Sequence, residues 1–291
     1  MAERGAFIVP NPLVGRGQPV FETDGSALAA PAPERGGLGF FREVHPGREP
    51  SLAVHAGVGP TRLLVSWAAL RSQGDPRVCA PASYRIESAA GSSRGVEGNY
   101  RLDLRVTDNS APARAHVIDF DGQSWARITF EGPSGGLLGI DQLALHDASD
   151  GTDDVWLILG DDLAREGLVP RDEAGFADLV YERYPGYFPA LIDETRKGER
   201  PAETLARLPH LLEAHPHARH VAMAYGLAPT GAELAALAQL VAGVTERDRS
   251  VAVGVVSLGA GALDTSGFNG GLRELAAEPL VKDVRICGLI G

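Results

Sequence analysis

The residues best placed for chemistry are two adjacent carboxylates, Asp161 and Asp162, which follow the apolar run Val155–Leu159 and Gly160. A continuous apolar run of this length predicts a strand that is buried on both faces, as in a parallel sheet. Ligands and substrates bind beyond the carboxyl ends of such strands. A carboxylate there could act as a base or cap the next helix. The sequence favours a helix cap for Asp162 and a hydrogen-bonding turn residue for Asp161.

A metal site is not expected at these acids. A hard cation would need the carboxylates on both sides of the strand, which are those of Asp153, Asp154, Asp161 and Asp162. The two pairs flank a five-residue strand and therefore lie about 15 Å apart. The sequence predicts neither a metal ion nor another cofactor.

Three histidines, His215, His217 and His220, have a spacing that superficially suggests zinc. They fall between an apparent helix and the beginning of a strand, away from the carboxyl ends where a site is expected. The sequence therefore predicts a solvated loop at these positions.

Composition limits the partners and the compartment. The chain has 291 residues and a formal net charge of −11, so nucleic acid and anionic membrane surfaces are not expected partners. The longest apolar-rich run, Val251–Leu263, is too short to span a bilayer, and the first residues lack the apolar core of a secretory signal. The distant Cys79 and Cys287 predict neither a disulfide framework nor a metal site. These features predict a cytoplasmic protein.

Residues 1–150 alternate between apolar and polar side chains in short runs, clearest over 100–107, 124–130 and 140–146. This period is that of half-buried strands. Shorter candidate strands are 19–22, 51–55, 62–67 and 83–87, separated by glycine-rich or asparagine-containing turns. About eight such strands without a convincing helix predict an antiparallel β-sandwich.

Residues 151–291 have a different pattern, in which apolar strands alternate with helical segments. Strands are predicted at 155–159, 220–224, 251–256 and 284–290, and helices at 173–184, from Pro201 onward, behind the Thr230 and Glu233 capping pattern, and at 271–277. This alternation predicts βαβ units and a parallel sheet that helices cover on both sides. The fold class is therefore an antiparallel β-sandwich followed by an α/β domain.

The strand that runs into Gly160-Asp161-Asp162 and the later strand that ends in Ala224-Tyr225-Gly226 resemble the SGNH (GDSL-type) hydrolases. The segments 114–125 and 146–156 resemble the last strands and the junction of members with an N-terminal galactose-binding-like sandwich, and 185–190 fits their second strand. The resemblance extends from about Asn11 to Cys287. It implies a jelly-roll, carbohydrate-binding-like sandwich, a flavodoxin-like parallel sheet and ester hydrolysis.

The same comparison implies that the catalytic groups are missing. Asp162 stands where the family has its nucleophilic serine, and Gly198 is the only glycine in the loop Asp193–Glu199. Leu227-Ala228-Pro229 replaces the segment with the oxyanion asparagine, and the Asp-x-x-His block would begin near Gly291. All eight histidines lie upstream. The residues of the vestigial site are Asp161, Asp162, Gly198, Gly226 and Ala228.

We therefore expect a protein that binds a small molecule, a glycan or a protein partner rather than a serine esterase, and it could form an oligomer. The residues expected to line the ligand site are Arg196, Lys197, Tyr225 and Leu227. The basic loop that contains Arg196, Lys197 and Arg200 is either solvated surface or a place for an anionic ligand. The alternative is an active ester hydrolase or acyltransferase whose site is altered or completed by a partner chain.

Overall fold

A computed structural model of the chain describes residues 19–28, 40–69, 79–131, 136–152, 154–169, 175–183, 189–227, 231–247, 250–257 and 285–288. The chain divides into two compact units. The first contains two antiparallel sheets and the second contains a parallel sheet with helices, so the predicted fold class is confirmed. None of the helices within the described ranges is long and apolar enough to cross a membrane.

The first unit has nine strands in the part of the chain that the structure describes. They are β1 Val20–Glu22, β2 Phe40–Val44, β3 Ser51–His55, β4 Arg62–Ala69, β5 Ser83–Ala89, β6 Arg101–Val106, β7 Ala113–Asp119, β8 Trp125–Glu131 and β9 Gly136–Asp147. One sheet has the order β1-β3-β8-β5-β6 and the other has the order β2-β9-β4-β7. A single apolar core joins the inner faces of both sheets, and ring contacts such as Phe40 with Phe130 cross it.

The alternation predicted from the sequence places every second side chain in this core. On β8, Ala126, Ile128 and Phe130 are buried in it, and Trp125 projects to the opposite face. Trp125 contacts the ring of His55 there, at a centroid distance of 5.2 Å. Strand β2 was not predicted, because its three central residues are exposed at the edge of a sheet and lack a clear apolar alternation.

The second unit contains five described strands, β10 Val155–Gly160, β11 Ala190–Asp193, β12 His220–Leu227, β13 Ser250–Ser257 and β14 Arg285–Gly288. They form one sheet in the order β11-β10-β12-β13-β14. Counted from the beginning of the unit this is the order 2-1-3-4-5, which is the flavodoxin-like order. The pairs β10–β12, β12–β13 and β13–β14 are parallel, as the sequence predicts.

The helices described after β10 are α1 Asp162–Leu168, α2 Phe176–Arg183, α3 Pro201–Ala214 and α4 Gly231–Thr245. Helix α3 begins at Pro201 as predicted, since proline lacks the N–H that a first turn leaves unpaired. Helix α2 begins at Phe176, three residues after the predicted start. Thr230 and the predicted helix at 271–277 lie outside the described residues.

Candidate functional site

The carboxyl edge of the parallel sheet is built around Gly160, where β10 turns into helix α1. Gly160 has a φ of +124°, and a Cβ atom at this position would lie 1.9 Å from the carbonyl oxygen of Ala224. The neighbouring strand β12 therefore approaches the backbone too closely for any side chain. The glycine fixes the direction in which the chain leaves the sheet and so positions the two aspartates after it.

Asp161, and not Asp162, caps helix α1, so the predicted assignment was wrong by one residue. Asp161 has extended backbone angles, and its Oδ1 accepts a hydrogen bond of 2.9 Å from the backbone N–H of Leu163. A cap residue must lie outside the helical conformation, and the close approach at Gly160 places Asp161 there. Asp162 is the first helical residue, where its negative charge faces the positive end of the helix.

The second oxygen of the Asp161 carboxylate reaches the neighbouring strand. Its Oδ2 accepts a hydrogen bond of 2.7 Å from the backbone N–H of Gly226, near the end of β12. Asp161 is only 8% exposed, so both of its oxygens serve backbone groups in a largely water-free position. The N–H of Gly226 is thus already bonded inside the protein.

The loop that follows β11 is held by local hydrogen bonds. The carboxylate of Asp193 accepts bonds from the N–H of Thr195 at 3.0 Å and from its hydroxyl at 2.7 Å. The N–H of Arg196 donates to the carbonyl oxygen of Gly160 at 2.9 Å, which ties the loop to the edge of β10. Lys197 and Gly198 are exposed, and Gly198 makes the turn with a φ of +64°.

A buried ion-pair cluster holds this loop against helix α3. Arg207 lies 2.6 Å from Oε1 of Glu199 through its Nε and 3.2 Å from Oε2 of Glu194 through Nη1. The Nε2 atom of His215 lies 3.0 Å from Oε1 of Glu194, and both of these side chains are 0% exposed. His215 is therefore buried and hydrogen-bonded, which corrects the prediction of a solvated loop at that residue.

Sequence reasoning missed this cluster, although one signal for it exists. Thr204 and Leu208 are buried residues of α3. Arg207 comes three residues after the first and one before the second, so it lies beside the inward face of this helix. A charged residue at such a position predicts a buried partner. The partners Glu194 and Glu199 are 13 and 8 residues away in a loop, and no local pattern identifies them.

Tyr225, predicted as a ligand-lining residue, is 0% exposed. Its hydroxyl donates a hydrogen bond of 2.8 Å to Oγ1 of Thr204 on helix α3. Burial raises the pKa of this phenol above its ordinary value, so it stays protonated. The ring of Trp156, at the beginning of β10, stacks on the ring of His220, with centroids 4.6 Å apart. Ala228 and the side chain of Leu227 lie outside the described residues.

The remaining histidines of this unit lie away from the carboxyl edge. His220 is the first residue of β12, His217 lies in the turn before it, and His210 is exposed on helix α3. Six residues of an extended strand separate His220 from Gly226, a distance of about 20 Å. Within the described ranges, no group of three or more His, Cys, Asp or Glu side chains could hold a metal ion.

The site thus brings together Asp161, Gly226 and the turn at Gly160 through backbone hydrogen bonds. Arg196 joins the same edge through its backbone N–H, and Asp162 begins the helix beside it. These hydrogen bonds hold two strands, one helix and one loop together at the carboxyl edge of the sheet.

No protein-family model matches the chain, and no curated protein matches it in sequence. Solved structures are similar to it. The psychrotrophic esterase EstA from Pseudoalteromonas sp. is 21% identical, with a TM-score of 0.37 over 46% of this chain and 78% of that one. AlinE4, an SGNH-hydrolase family esterase, is 20% identical, with a TM-score of 0.37 over 45% of this chain and 75% of that one.

An F5/8 type C domain of a Bacteroides fragilis protein is 11% identical, with a TM-score of 0.34 over 48% of this chain and 97% of that one. The structures similar to this chain therefore include SGNH esterases and an F5/8 type C domain, the two kinds that its sequence motifs predict.

Proposed function

We propose that this protein is a binding or interaction protein on an esterase-like scaffold, and that it does not hydrolyse esters by the serine mechanism. The observation that carries the proposal is the bond between Asp161 Oδ2 and the N–H of Gly226. An oxyanion intermediate needs backbone N–H groups that are free to receive it. At this edge the amide of Gly226 is already used to hold the strands together.

The acid next to it is a poor substitute for a serine nucleophile. Attack by the carboxylate of Asp162 on an ester would expel the alcohol and leave a mixed anhydride, which water must then cleave. A general base is needed to activate that water. All four histidines of residues 151–291 lie in helix α3, in the turn after it or at the start of β12. None of these four is therefore placed beside Asp162 to act as that base.

The loop of Arg196 and Lys197 suggests the kind of ligand. It follows β11 at the carboxyl edge of the sheet, and its Lys197 is exposed, whereas the acids Glu194 and Glu199 of the same loop are buried against Arg207. Local positive charge on an acidic protein favours an anionic small molecule, an acidic glycan or an acidic partner segment. Nucleic acid is disfavoured by the overall charge.

The first test is hydrolysis of p-nitrophenyl acetate together with covalent labelling by a fluorophosphonate. We expect wild-type protein and Asp162→Ala to hydrolyse the ester at the rate of buffer and to remain unlabelled. Asp121→Ala, in an exposed turn of the sandwich, is the matched control. Turnover or labelling that Asp162→Ala abolishes and Asp121→Ala preserves would instead establish an active hydrolase with an altered site.

The second test measures binding. Thermal-shift assays with acidic glycans and small anionic metabolites should identify ligands that stabilise the wild-type protein. The double variant Arg196→Gln with Lys197→Gln should lose that stabilisation. Arg219→Gln with Arg247→Gln removes two charges elsewhere in the same unit and should keep it. Equal shifts in both double variants would place the binding site away from the loop.

A further inference from the structure

The β-sandwich is less tightly closed along the side where β6 and β7 meet. These strands are the last members of their sheets, and they contact each other. Leu104 and Val106 of β6 pack against the core yet remain half-buried, whereas their partners Ile86 and Tyr84 on β5 are 0% exposed. Side chains between the sheets are therefore accessible to solvent along this edge.

Strand β7 places two basic side chains on the inner side of that edge. Arg114 pairs in register with Trp67, and His116 pairs with Val65. Trp67 and Val65 belong to the apolar core, and directly paired residues project to the same face of a sheet. The ring of His116 is hydrogen-bonded through Nε2 to the hydroxyl of Tyr84 on the opposite sheet. Arg114 and His116 thus face into the space between the sheets.

Arg114 has no acidic partner among the described residues. Its Nε atom is buried and has no hydrogen-bond partner, and its guanidinium lies close enough to the hydroxyl of Tyr84 to lower the pKa of that phenol. Several other arginines of this unit are paired with carboxylates, as Arg85 is with Glu131 at 2.6 Å and Arg127 is with Glu87 at 3.1 Å. A partly buried cation without an anion is unfavourable, so this guanidinium requires an explanation.

A second donor without a regular hydrogen bond, the indole N–H of Trp67, lies in the same place beside the hydroxyl of Tyr84. Trp67 is 2% exposed, and its Nε1 atom lacks a hydrogen-bond partner. Its ring meets the ring of Tyr84 edge-on, with centroids 5.3 Å apart. Burial raises the pKa of Tyr84 to about 12, against the opposing effect of the Arg114 charge, so the phenol is neutral at pH 7. The formal positive charge that must be balanced at this place is therefore that of Arg114.

We propose that Trp67, Tyr84, Arg114 and His116 form a binding site for the carboxylate group of a small organic acid. Guanidinium groups bind carboxylates through two parallel N–H donors, and an indole N–H adds a third donor that carries no charge. One carboxylate neutralises one arginine. A phosphate or sulfate dianion would leave an excess negative charge between two apolar sheets, which is unfavourable. This site lies in the sandwich and is independent of the function proposed for the α/β unit.

The test is a titration of the full chain with sodium acetate, with chloride, sulfate and phosphate as competing anions at constant ionic strength. Fluorescence of the buried Trp67 reports binding, and Trp125→Phe with Trp156→Phe removes the other two indoles. We expect saturable binding of acetate in preference to the other anions. Arg114→Gln should weaken it by about tenfold or more, because it removes the charged group that would bind the carboxylate.

Two further variants distinguish a site from a structural cluster. Trp67→Phe, in the chain that keeps all other tryptophans, removes the N–H and leaves a smaller aromatic ring. Acetate binding measured by calorimetry should weaken. Arg62→Gln changes an exposed arginine on the adjacent strand β4 and should bind acetate as the wild type does. Absence of saturable binding, or equal affinity in Arg114→Gln and Arg62→Gln, would overturn the proposal. Preference for phosphate or sulfate would overturn the assignment to carboxylates.

Discussion

The carboxylate of Asp161 joins two parallel strands by accepting a 2.7 Å hydrogen bond from the N–H of Gly226. The same side chain caps helix α1 through the N–H of Leu163. Asp161 follows β10, and Gly226 lies in β12, the strand paired with it. One residue thus determines both where the helix begins and how the carboxyl ends of the two central strands are held.

Replacement of Asp161 by alanine should therefore destabilise the α/β unit more than replacement of its neighbour. Asp161→Ala loses a helix cap and leaves the N–H of Gly226 without its partner. We therefore expect the free energy of unfolding to decrease by about 2–4 kcal/mol. Asp162→Ala removes only a favourable charge in the first turn, a decrease of about 0.3–1 kcal/mol. Urea unfolding followed by circular dichroism compares the two. Equal losses would show that Asp161 makes no special contribution.

The glycine before this aspartate offers a second contrast. Gly160 and Gly198 both have positive φ angles, but only Gly160 has a backbone atom within reach of an added Cβ. Gly198→Ala should therefore lower stability by about 1–2 kcal/mol, the strain of the left-handed conformation alone. Gly160→Ala must also displace strand β12 and should prevent accumulation of folded protein. Soluble yield and thermal midpoint measure the difference, and a folded Gly160→Ala protein with wild-type stability would contradict it.

The elements of this fold were predictable where a local pattern fixes them. Alternation identified β8, and a continuous apolar run identified β10, because burial on one face or on two produces different periods. Proline at the first position identified helix α3. Strand β2 has no such pattern, since three of its five residues are exposed.

The site was less predictable because long-range contacts determine it. The cap falls on Asp161 rather than Asp162 because the carbonyl oxygen of Ala224, 64 residues further along, lies against Gly160. In the same way, His215 is buried because Glu194 lies beside it, although its neighbours in sequence resemble those of a solvated loop. Neither contact can be predicted from the spacing of residues along the chain.

The ion-pair cluster should contribute more to stability than its exposed counterpart. Arg207→Met leaves the carboxylates of Glu194 and Glu199 buried without their cation, and we expect a loss of about 3–5 kcal/mol. Arg200→Met removes an ion pair with Glu233 in which the arginine side chain is 69% exposed, and the loss should be about 1 kcal/mol or less. Thermal and urea unfolding of both variants provide the comparison.

A rescue variant tests the cause of that loss. Glu194→Gln and Glu199→Gln, added to Arg207→Met, remove the uncompensated charges and should recover part of the stability. If the triple variant is no more stable than Arg207→Met, lost packing of the arginine chain and not buried charge explains the effect.

Stability should fall as the pH is lowered through the mildly acidic range, because His146 is buried. Complete burial lowers the pKa of His146 from 6.5 to about 4, so the folded protein holds it neutral. In the unfolded chain this histidine is protonated below about pH 6.5, whereas in the folded protein it stays neutral down to about pH 4. Between these two pH values protonation favours the unfolded chain over the folded state. The stabilisation is therefore present above about pH 6.5 and is lost between there and pH 4, by about 3 kcal/mol.

His146→Gln should reduce the slope of unfolding free energy against pH in this window, whereas His45→Gln, at an exposed position, should keep the wild-type slope. A wild-type slope in His146→Gln would assign the acid sensitivity to the carboxylates of the ion-pair clusters.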